Sequence, residues 1–126
     1  MLKSFLDAGA PVAFGSDWPW GNVVSSMNPL DGIGTAITRE NPGDNMLKSY
    51  ESPQRVDLVT ALKNYTLGGA MQNFNDKITG SLEVGKKADI AVLDTNIFKM
   101  EPEELFKVKV WMTIFDGGIV YSLEGE

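Results

Sequence analysis

Residues 11–15 form a continuous apolar run, Pro-Val-Ala-Phe-Gly, which is followed closely by the carboxylate of Asp17. This run constrains the type of sheet that the chain can form. A strand that is apolar on both faces is typical of a parallel sheet covered on both sides, whereas an antiparallel strand usually alternates. Ahead of the run, Leu2 and Leu6 share one helical face, and Gly9 is placed to end that helix. The order helix, buried strand, acidic residue predicts part of an α/β barrel.

The composition narrows the class of protein. With 126 residues, of which 43% are hydrophobic, the chain can bury a core and is not disordered by composition. It has 17 acidic and 11 basic residues, a formal charge of -6, so we expect no nucleic-acid partner. No run approaches the roughly 18 apolar residues of a membrane span, so we expect no membrane association. The absence of cysteine is compatible with a reducing cytoplasm, where we expect the protein to be located.

The middle of the chain reads as a long loop. Residues 20–53 are rich in Gly, Pro, Asn, Ser and Asp, which are the residues that favour turns. The only periodic stretch in this region, marked by Leu30, Ile33 and Ala36, predicts a short helix. A loop of this size inside a compact domain is more often functional than neutral.

The next predicted element is a helix that reaches about Phe74. Ser52 is suited to cap its start, and Pro53 is suited to its first position. The pair Gly68-Gly69 is expected to loosen or break this helix near its end.

After Asn75 the pattern changes to short strands separated by turn-forming residues, which predicts a small β segment. Within it, the sequence Asp-Gly-Gly at residues 116–118 predicts a tight hairpin. We therefore divide the chain near residues 74–79, into residues 1–74 and residues 75–126. The second part is predicted to hold strands at residues 88–94, 108–115 and 119–123 and a single helical turn at residues 101–106.

Asp17 has two interpretations on spacing alone. As a structural residue, it would cap the next turn or bond to Ser16. As a functional residue, it would be a general base at the end of a buried strand. Trp18 and Trp20 would then shield the carboxylate from water and raise its basicity. The spacing leaves both interpretations open.

Four blocks in a fixed order carry a resemblance to a known family. The chain resembles the C-terminal part of the amidohydrolase superfamily, and the Ser-Asp-Trp-Pro form at residues 16–19 is similar to the metal-dependent hydrolases related to N-substituted formamide deformylase. Together the blocks cover almost the whole chain. They lie at residues 9–19, 61–70, 80–94 and 110–121.

The resemblance implies an α/β plus β fold. Residues 1–74 would be the last strand and helices of a (β/α)8 barrel, and residues 75–126 would be part of a small composite β-sandwich. Asp17 would be the strand-end aspartate beside a divalent metal of the zinc type, both as a metal ligand and as the catalytic proton shuttle. Trp18 and Trp20 lie where substrate-facing loop residues occur in such barrels.

The function implied is that of a C-terminal fragment of an amidohydrolase that cleaves non-peptide C-N bonds in a small amide-type substrate. The family holds its metal mainly with histidines, and this chain has no histidine, so we expect no metal binding and no turnover by the chain alone. The alternative is a catalytically inactive remnant or split-protein module that acts only through association with other chains. In either case, uncovered apolar faces and strand edges predict self-association or pairing with a missing N-terminal portion.

Overall fold

The computed structural model describes residues 1–19, 26–40 and 53–124. Trp20 and Ser52 therefore lie outside the described residues. None of the helices in these ranges is long and apolar enough to cross a membrane. The described elements, in chain order, are helices α1 (Leu2–Asp7), α2 (Pro29–Thr38), α3 (Leu58–Tyr65) and α4 (Leu67–Gln72), strand β1 (Ile90–Leu93), 3₁₀ segments at Ile97–Lys99 and Pro102–Lys107, and strands β2 (Val110–Phe115) and β3 (Gly118–Ser122).

Helix α2 confirms the short helix predicted from its apolar periodicity. Asn28 caps it, because the side-chain oxygen of Asn28 accepts a hydrogen bond from the Leu30 amide at 3.1 Å. Pro29 occupies the first position, where a missing amide hydrogen is no loss. The helix buries Leu30 and Ile33, the residues that marked the pattern.

Helix α3 begins later than predicted. The helix starts at Leu58 rather than at Pro53, because Asp57 supplies the cap, accepting hydrogen bonds from the Thr60 amide at 2.7 Å and the Thr60 hydroxyl at 3.1 Å. The break between α3 and α4 falls at Thr66 and not at the glycine pair that follows. The hydroxyl of Thr66 donates to the Leu62 carbonyl at 2.9 Å and helps to end α3 there.

The buried core lies between α2, α3 and the 3₁₀ segment Pro102–Lys107. Leu105 is 1% exposed and Ala61 is completely buried. A side-chain carbon added at Gly34 of α2 would be 3.6 Å from the Pro102 carbonyl oxygen, so α2 lies directly against this segment. The core residues are Leu30, Ile33, Ala36, Val56, Ala61, Ile97, Leu105 and Val108.

The second part of the chain contains a small antiparallel sheet in the order β1-β2-β3, as the strand pattern predicted. Asp116 and Gly117 have φ values of 50° and 82°, the left-handed pair that a tight two-residue hairpin requires. Asp89 secures this turn, because its carboxylate accepts the Asp116 amide at 2.8 Å and the Thr79 hydroxyl at 3.1 Å. The role of Asp89 is thus structural.

Residues 11–15 do not form the predicted strand in this chain. A parallel strand requires a neighbouring strand to pair with, and the strands among the described residues, β1 to β3, pair only with one another. Of the amides at residues 11–15, that of Phe14 is bonded, and it donates to the carbonyl of Asn64 in α3 at 3.0 Å. The apolar residues of this segment therefore pack against helices and do not pair in a sheet.

Candidate functional site

The candidate site lies at the end of the segment 11–16, which rests on α3 and α4. The Phe14 ring meets the Tyr65 ring edge to face, with centroids 5.5 Å apart and planes at 82°. At Gly68 of α4 the backbone of Val12 approaches so closely that a side chain there would collide with the Val12 carbonyl. Aromatic contact on one side and a glycine on the other thus fix the path of the segment toward Asp17.

Tyr65 is a packing residue rather than an acid or base. Burial raises the pKa of its hydroxyl, and the nearby carboxylate of Asp31 raises the pKa further. Both effects keep the hydroxyl neutral at physiological pH. Tyr65 therefore supports the segment through its ring, without carrying charge.

Asp17 is exposed and lies directly after this supported segment. Its φ is 52°, a left-handed conformation that is uncommon for residues other than glycine and that is often found at functional sites. Among the described residues, the Asp17 carboxylate makes no hydrogen bond and no ion pair. The Ser16 hydroxyl instead accepts the Trp18 amide at 3.3 Å. The carboxylate is therefore exposed and has no partner among the described residues.

Trp18, the neighbouring predicted site residue, is 55% exposed. Its ring is therefore available to a ligand and is not used as core packing. The structure brings Asp17 and Trp18 together only through their adjacency in the chain. Trp20, the other aromatic residue predicted to contact substrate, lies outside the described residues.

Open grooves flank the helices in the described part of the chain, and two of them have neither Asp17 nor Trp18 in their walls. The first, of about 510 Å³, lies between α1 and α3. The second, of about 760 Å³, separates the helices from β1 and is mainly apolar. Among the residues lining the second groove are Leu30, Tyr65, Leu67, Leu82, Ile90 and Leu93.

The described residues do not build a metal site. A stable zinc site needs three or four protein ligands, and the sequence has neither histidine nor cysteine. Across residues 1–19, 26–40 and 53–124, no three acidic side chains gather closely enough to hold a metal ion. As the predicted metal ligand, Asp17 can contribute one carboxylate to such a site and no more.

Sequence reasoning missed the supporting role of two residues next to the site. Asn64, whose carbonyl accepts a hydrogen bond from the Phe14 amide, lies within a helical pattern, and nothing in the sequence indicated this contact. Gly68 was interpreted as a helix breaker, but it lies inside α4 at the closest approach of Val12. A glycine within a helical pattern can also mark close packing, and that was the available signal.

Known proteins resemble this chain along nearly its whole length. The chain is 32% identical over 124 residues to the N-substituted formamide deformylase of Arthrobacter pascens, covering 98% of this chain and 22% of that protein. It is 30% identical over 120 residues to the putative amidohydrolase YtcJ of Bacillus subtilis (strain 168), covering 95% of this chain and 22% of that protein. The chain thus spans less than a quarter of the length of these relatives.

Two solved structures share the fold. The guanine deaminase of E. coli superposes with a TM-score of 0.67 at 23% identity, over 98% of this chain and 30% of that one. An amidohydrolase from Thermotoga maritima MSB8 superposes with a TM-score of 0.65 at 23% identity, over 96% of this chain and 25% of that one. The sequence profile described as "Amidohydrolase family" matches residues 1–121. The chain therefore belongs to the amidohydrolase family.

Proposed function

We propose that this chain is the part of a hydrolase of non-peptide C-N bonds that carries the proton-transferring carboxylate, Asp17. The observation that carries the proposal is the position of Asp17 in a family member: an exposed carboxylate without a described partner, at the end of a segment held by Phe14 and Gly68. Among the relatives, one is named N-substituted formamide deformylase and two are named 5-methylthioadenosine/S-adenosylhomocysteine deaminase. Deformylases of this kind and deaminases both cleave a C-N bond.

We place this chain at the C-terminal part of the complete enzyme. Residues 11–15 would become the last strand of a (β/α)8 barrel once neighbouring strands flank them, and residues 75–126 would form part of a β-sandwich. The amides of Val12, Ala13 and Gly15 have no described partner and support this, because they are groups that a neighbouring parallel strand would bond. Asp17 would then lie at the carboxyl end of a barrel strand, where such enzymes place their catalytic groups.

The chemistry assigned to Asp17 is the transfer of one proton. As the oxygen of a water molecule bonds to the amide-type carbon of the substrate, the carboxylate accepts a proton from that water. As the C-N bond breaks, the carboxyl group gives the proton to the leaving nitrogen. The carboxylate is thereby restored for the next cycle.

Trp18 and Trp20 would contact the substrate beside Asp17. The exposed ring of Trp18, adjacent to Asp17 in the chain, offers apolar area to a substrate. A divalent metal of the zinc type, where the complete enzyme uses one, would take its remaining ligands from residues outside this chain, since Asp17 supplies only one.

A chimera tests the proposal. The matching segment of the Arthrobacter pascens N-substituted formamide deformylase is replaced by residues 1–124 of this chain, and hydrolysis of an N-substituted formamide is measured. We expect a measurable rate, which Asp17→Asn lowers by at least about 100-fold because the amide cannot accept the proton. The control is Asp7→Asn, which removes another exposed carboxylate, one that pairs with Lys3 on the surface of α1.

An active chimera in which Asp17→Asn and Asp7→Asn behave alike would overturn the assignment of Asp17. An inactive but folded chimera would instead favour the second candidate, a catalytically inactive module that acts by association. The absence of a group of metal ligands in the described residues, with coverage of less than a quarter of the relatives, is what favours that candidate.

A further inference from the structure

Helix α3 ends at Tyr65 and α4 begins at Leu67, so Thr66 alone interrupts the helical hydrogen bonding. The backbone of Thr66 has φ -112° and ψ -83°, far from the values of about -63° and -42° in a regular α-helix. Its amide and its hydroxyl both donate to the Leu62 carbonyl, at 3.0 and 2.9 Å. An interruption of this kind leaves backbone groups on either side without their usual helical partners. We call residues 64–68 the junction.

The segment at residues 11–16 bonds to a backbone group at the junction. In an uninterrupted helix the Asn64 carbonyl would accept the Gly68 amide. Here it accepts the Phe14 amide at 3.0 Å. The Nδ2 atom of Asn64 donates to the Thr60 carbonyl at 2.7 Å, and Asn64 is buried. The residue that holds the segment is therefore itself held in place.

Gly68 is the second point at which the junction and the segment meet. A side-chain carbon added there would collide with the Val12 carbonyl oxygen and would lie 3.3 Å from the Cα atom of Ala13. Both are backbone atoms, which cannot swing aside as the end of a flexible side chain can. A carbon and a carbonyl oxygen in contact stay roughly 3.3 Å apart or more, so the segment would have to move by on the order of 1 Å.

We propose that Gly68 is a positioning residue for the Asp17 carboxylate, because it sets how closely residues 12–14 lie against the junction. The inference rests on the proton transfer proposed for Asp17. Asp17 follows Phe14 by three residues, and its carboxylate has no partner among the described residues that would hold it independently. A displacement of the segment therefore passes to the carboxylate. Misplacing a reacting group by about 1 Å can lower a rate about 100-fold.

Gly69→Ala is the matched control for Gly68→Ala. The two glycines are neighbours in the first turn of α4, so each substitution brings a similar gain in helix propensity. Nothing lies within 4 Å of a carbon added at Gly69. A difference between the two variants therefore reports the collision with Val12 and not the propensity of the helix.

Amide exchange in the isolated chain, followed by NMR, tests the structural step without any measurement of activity. We expect the Phe14 amide to exchange at least about tenfold faster in Gly68→Ala and within about twofold of the parent rate in Gly69→Ala. Protected amides in β2, which pairs with β1 and β3, show that a variant is folded. Unchanged exchange at Phe14 in folded Gly68→Ala would overturn the inference.

The chimera with the Arthrobacter pascens enzyme tests the catalytic step in a double-mutant cycle. At saturating substrate, Gly68→Ala should lower kcat at least about tenfold in the parent chimera, but less than about threefold in the Asp17→Asn chimera, because the effect acts through that carboxylate. Equal losses in both backgrounds would indicate a general structural defect and overturn the inference. If Asp17→Asn alone leaves kcat unchanged, the function proposed for Asp17 fails and this inference with it, even where exchange at Phe14 has changed.

Thr66→Val decides the case in which Gly68→Ala does not fold. It removes the hydroxyl bond to Leu62 without adding an atom beside Val12, and Thr66 is exposed, so the core stays intact. Because the hydroxyl helps to end α3, its loss should speed exchange at Phe14 at least about threefold and lower kcat only where Asp17 is present. Thr66→Ser keeps the hydroxyl and should behave as the parent. Equal results for Thr66→Val and Thr66→Ser would overturn the inference.

Discussion

The hydroxyl of Tyr65 on α3 lies against the backbone of Gly32 on α2, so closely that a side-chain carbon at position 32 would overlap it. The ring carbon bearing the hydroxyl would be only 2.7 Å from that added carbon. Because the same ring supports Phe14 on its other side, the spacing of α2 and α3 is coupled to the segment that leads to Asp17. Gly32 is therefore a packing position for the candidate site.

Gly32→Ala should destabilise the protein despite the better helix propensity of alanine. Overpacking against a rigid ring destabilises by about 1–3 kcal/mol, which exceeds the gain of about 1 kcal/mol from replacing a helical glycine. Urea unfolding measures the difference. Gly69→Ala is the control, because nothing lies within 4 Å of a carbon added there, and it should be neutral or stabilising. Adding Tyr65→Phe to Gly32→Ala should recover part of the loss by removing the hydroxyl.

Asp57→Ala should lower the free energy of unfolding by about 1 kcal/mol, because it removes the cap of α3. Hydrogen bonding to the Thr60 amide holds the pKa of Asp57 below its ordinary value. A group with a lowered pKa in the folded state contributes stability above its unfolded pKa, and loses that contribution as the pH falls through the folded value.

Asp57→Asn separates the cap from the charge. Asparagine caps a helix about as well as aspartate, so this variant should match the parent protein near neutral pH. As the pH falls through the range in which Asp57 takes up a proton, the parent should lose stability relative to Asp57→Asn. Parallel pH profiles of the two proteins, measured by urea unfolding between roughly pH 2 and 6, would contradict this assignment.

Amide exchange in residues 11–15 should be uneven in the isolated chain. The Phe14 amide donates to the Asn64 carbonyl and should exchange slowly, while those of Val12, Ala13 and Gly15 should exchange rapidly. Exchange measured by NMR resolves single residues. Protection of all four amides would mean that another chain completes a sheet at this segment.

The purified chain should retain no stoichiometric zinc after dialysis against a chelator-free buffer. The reason is the ligand count, since Asp17 is a single carboxylate and zinc sites need three or four protein ligands. Elemental analysis by mass spectrometry measures the metal content. One zinc per chain that is lost in Asp17→Asn would show that ligands gather around Asp17 by some other arrangement.

The elements that depend on local chemistry could be predicted from the sequence. The hairpin at Asp116-Gly117 and helix α2 follow from turn residues and apolar periodicity, which act within a few residues of the chain. The start of α3 was missed because Pro53 and Asp57 are both acceptable helix starts, and only the bonds to Thr60 decide between them.

The candidate site was predictable only in part. Asp17 could be identified because it follows an apolar run, but its supports are remote in sequence: Phe14 meets Tyr65 in α3, and Val12 meets Gly68 in α4. Contacts between residues that are so far apart in the sequence produce no periodic pattern of apolar residues. The predicted strand at residues 11–15 failed for a related reason, since a parallel strand is defined by neighbours that an apolar pattern alone does not provide.

The positive φ of Asp17 limits which acids evolution or design can place there. Asparagine and glycine tolerate this backbone conformation well, and aspartate tolerates it better than most residues, whereas glutamate does not share that tolerance. The substitutions that this position tolerates therefore remove the charge of the side chain and preserve the backbone conformation. A longer acid would keep the charge but strain the backbone. A single substitution can therefore remove the carboxylate that we propose as the proton acceptor more easily than it can move that carboxylate.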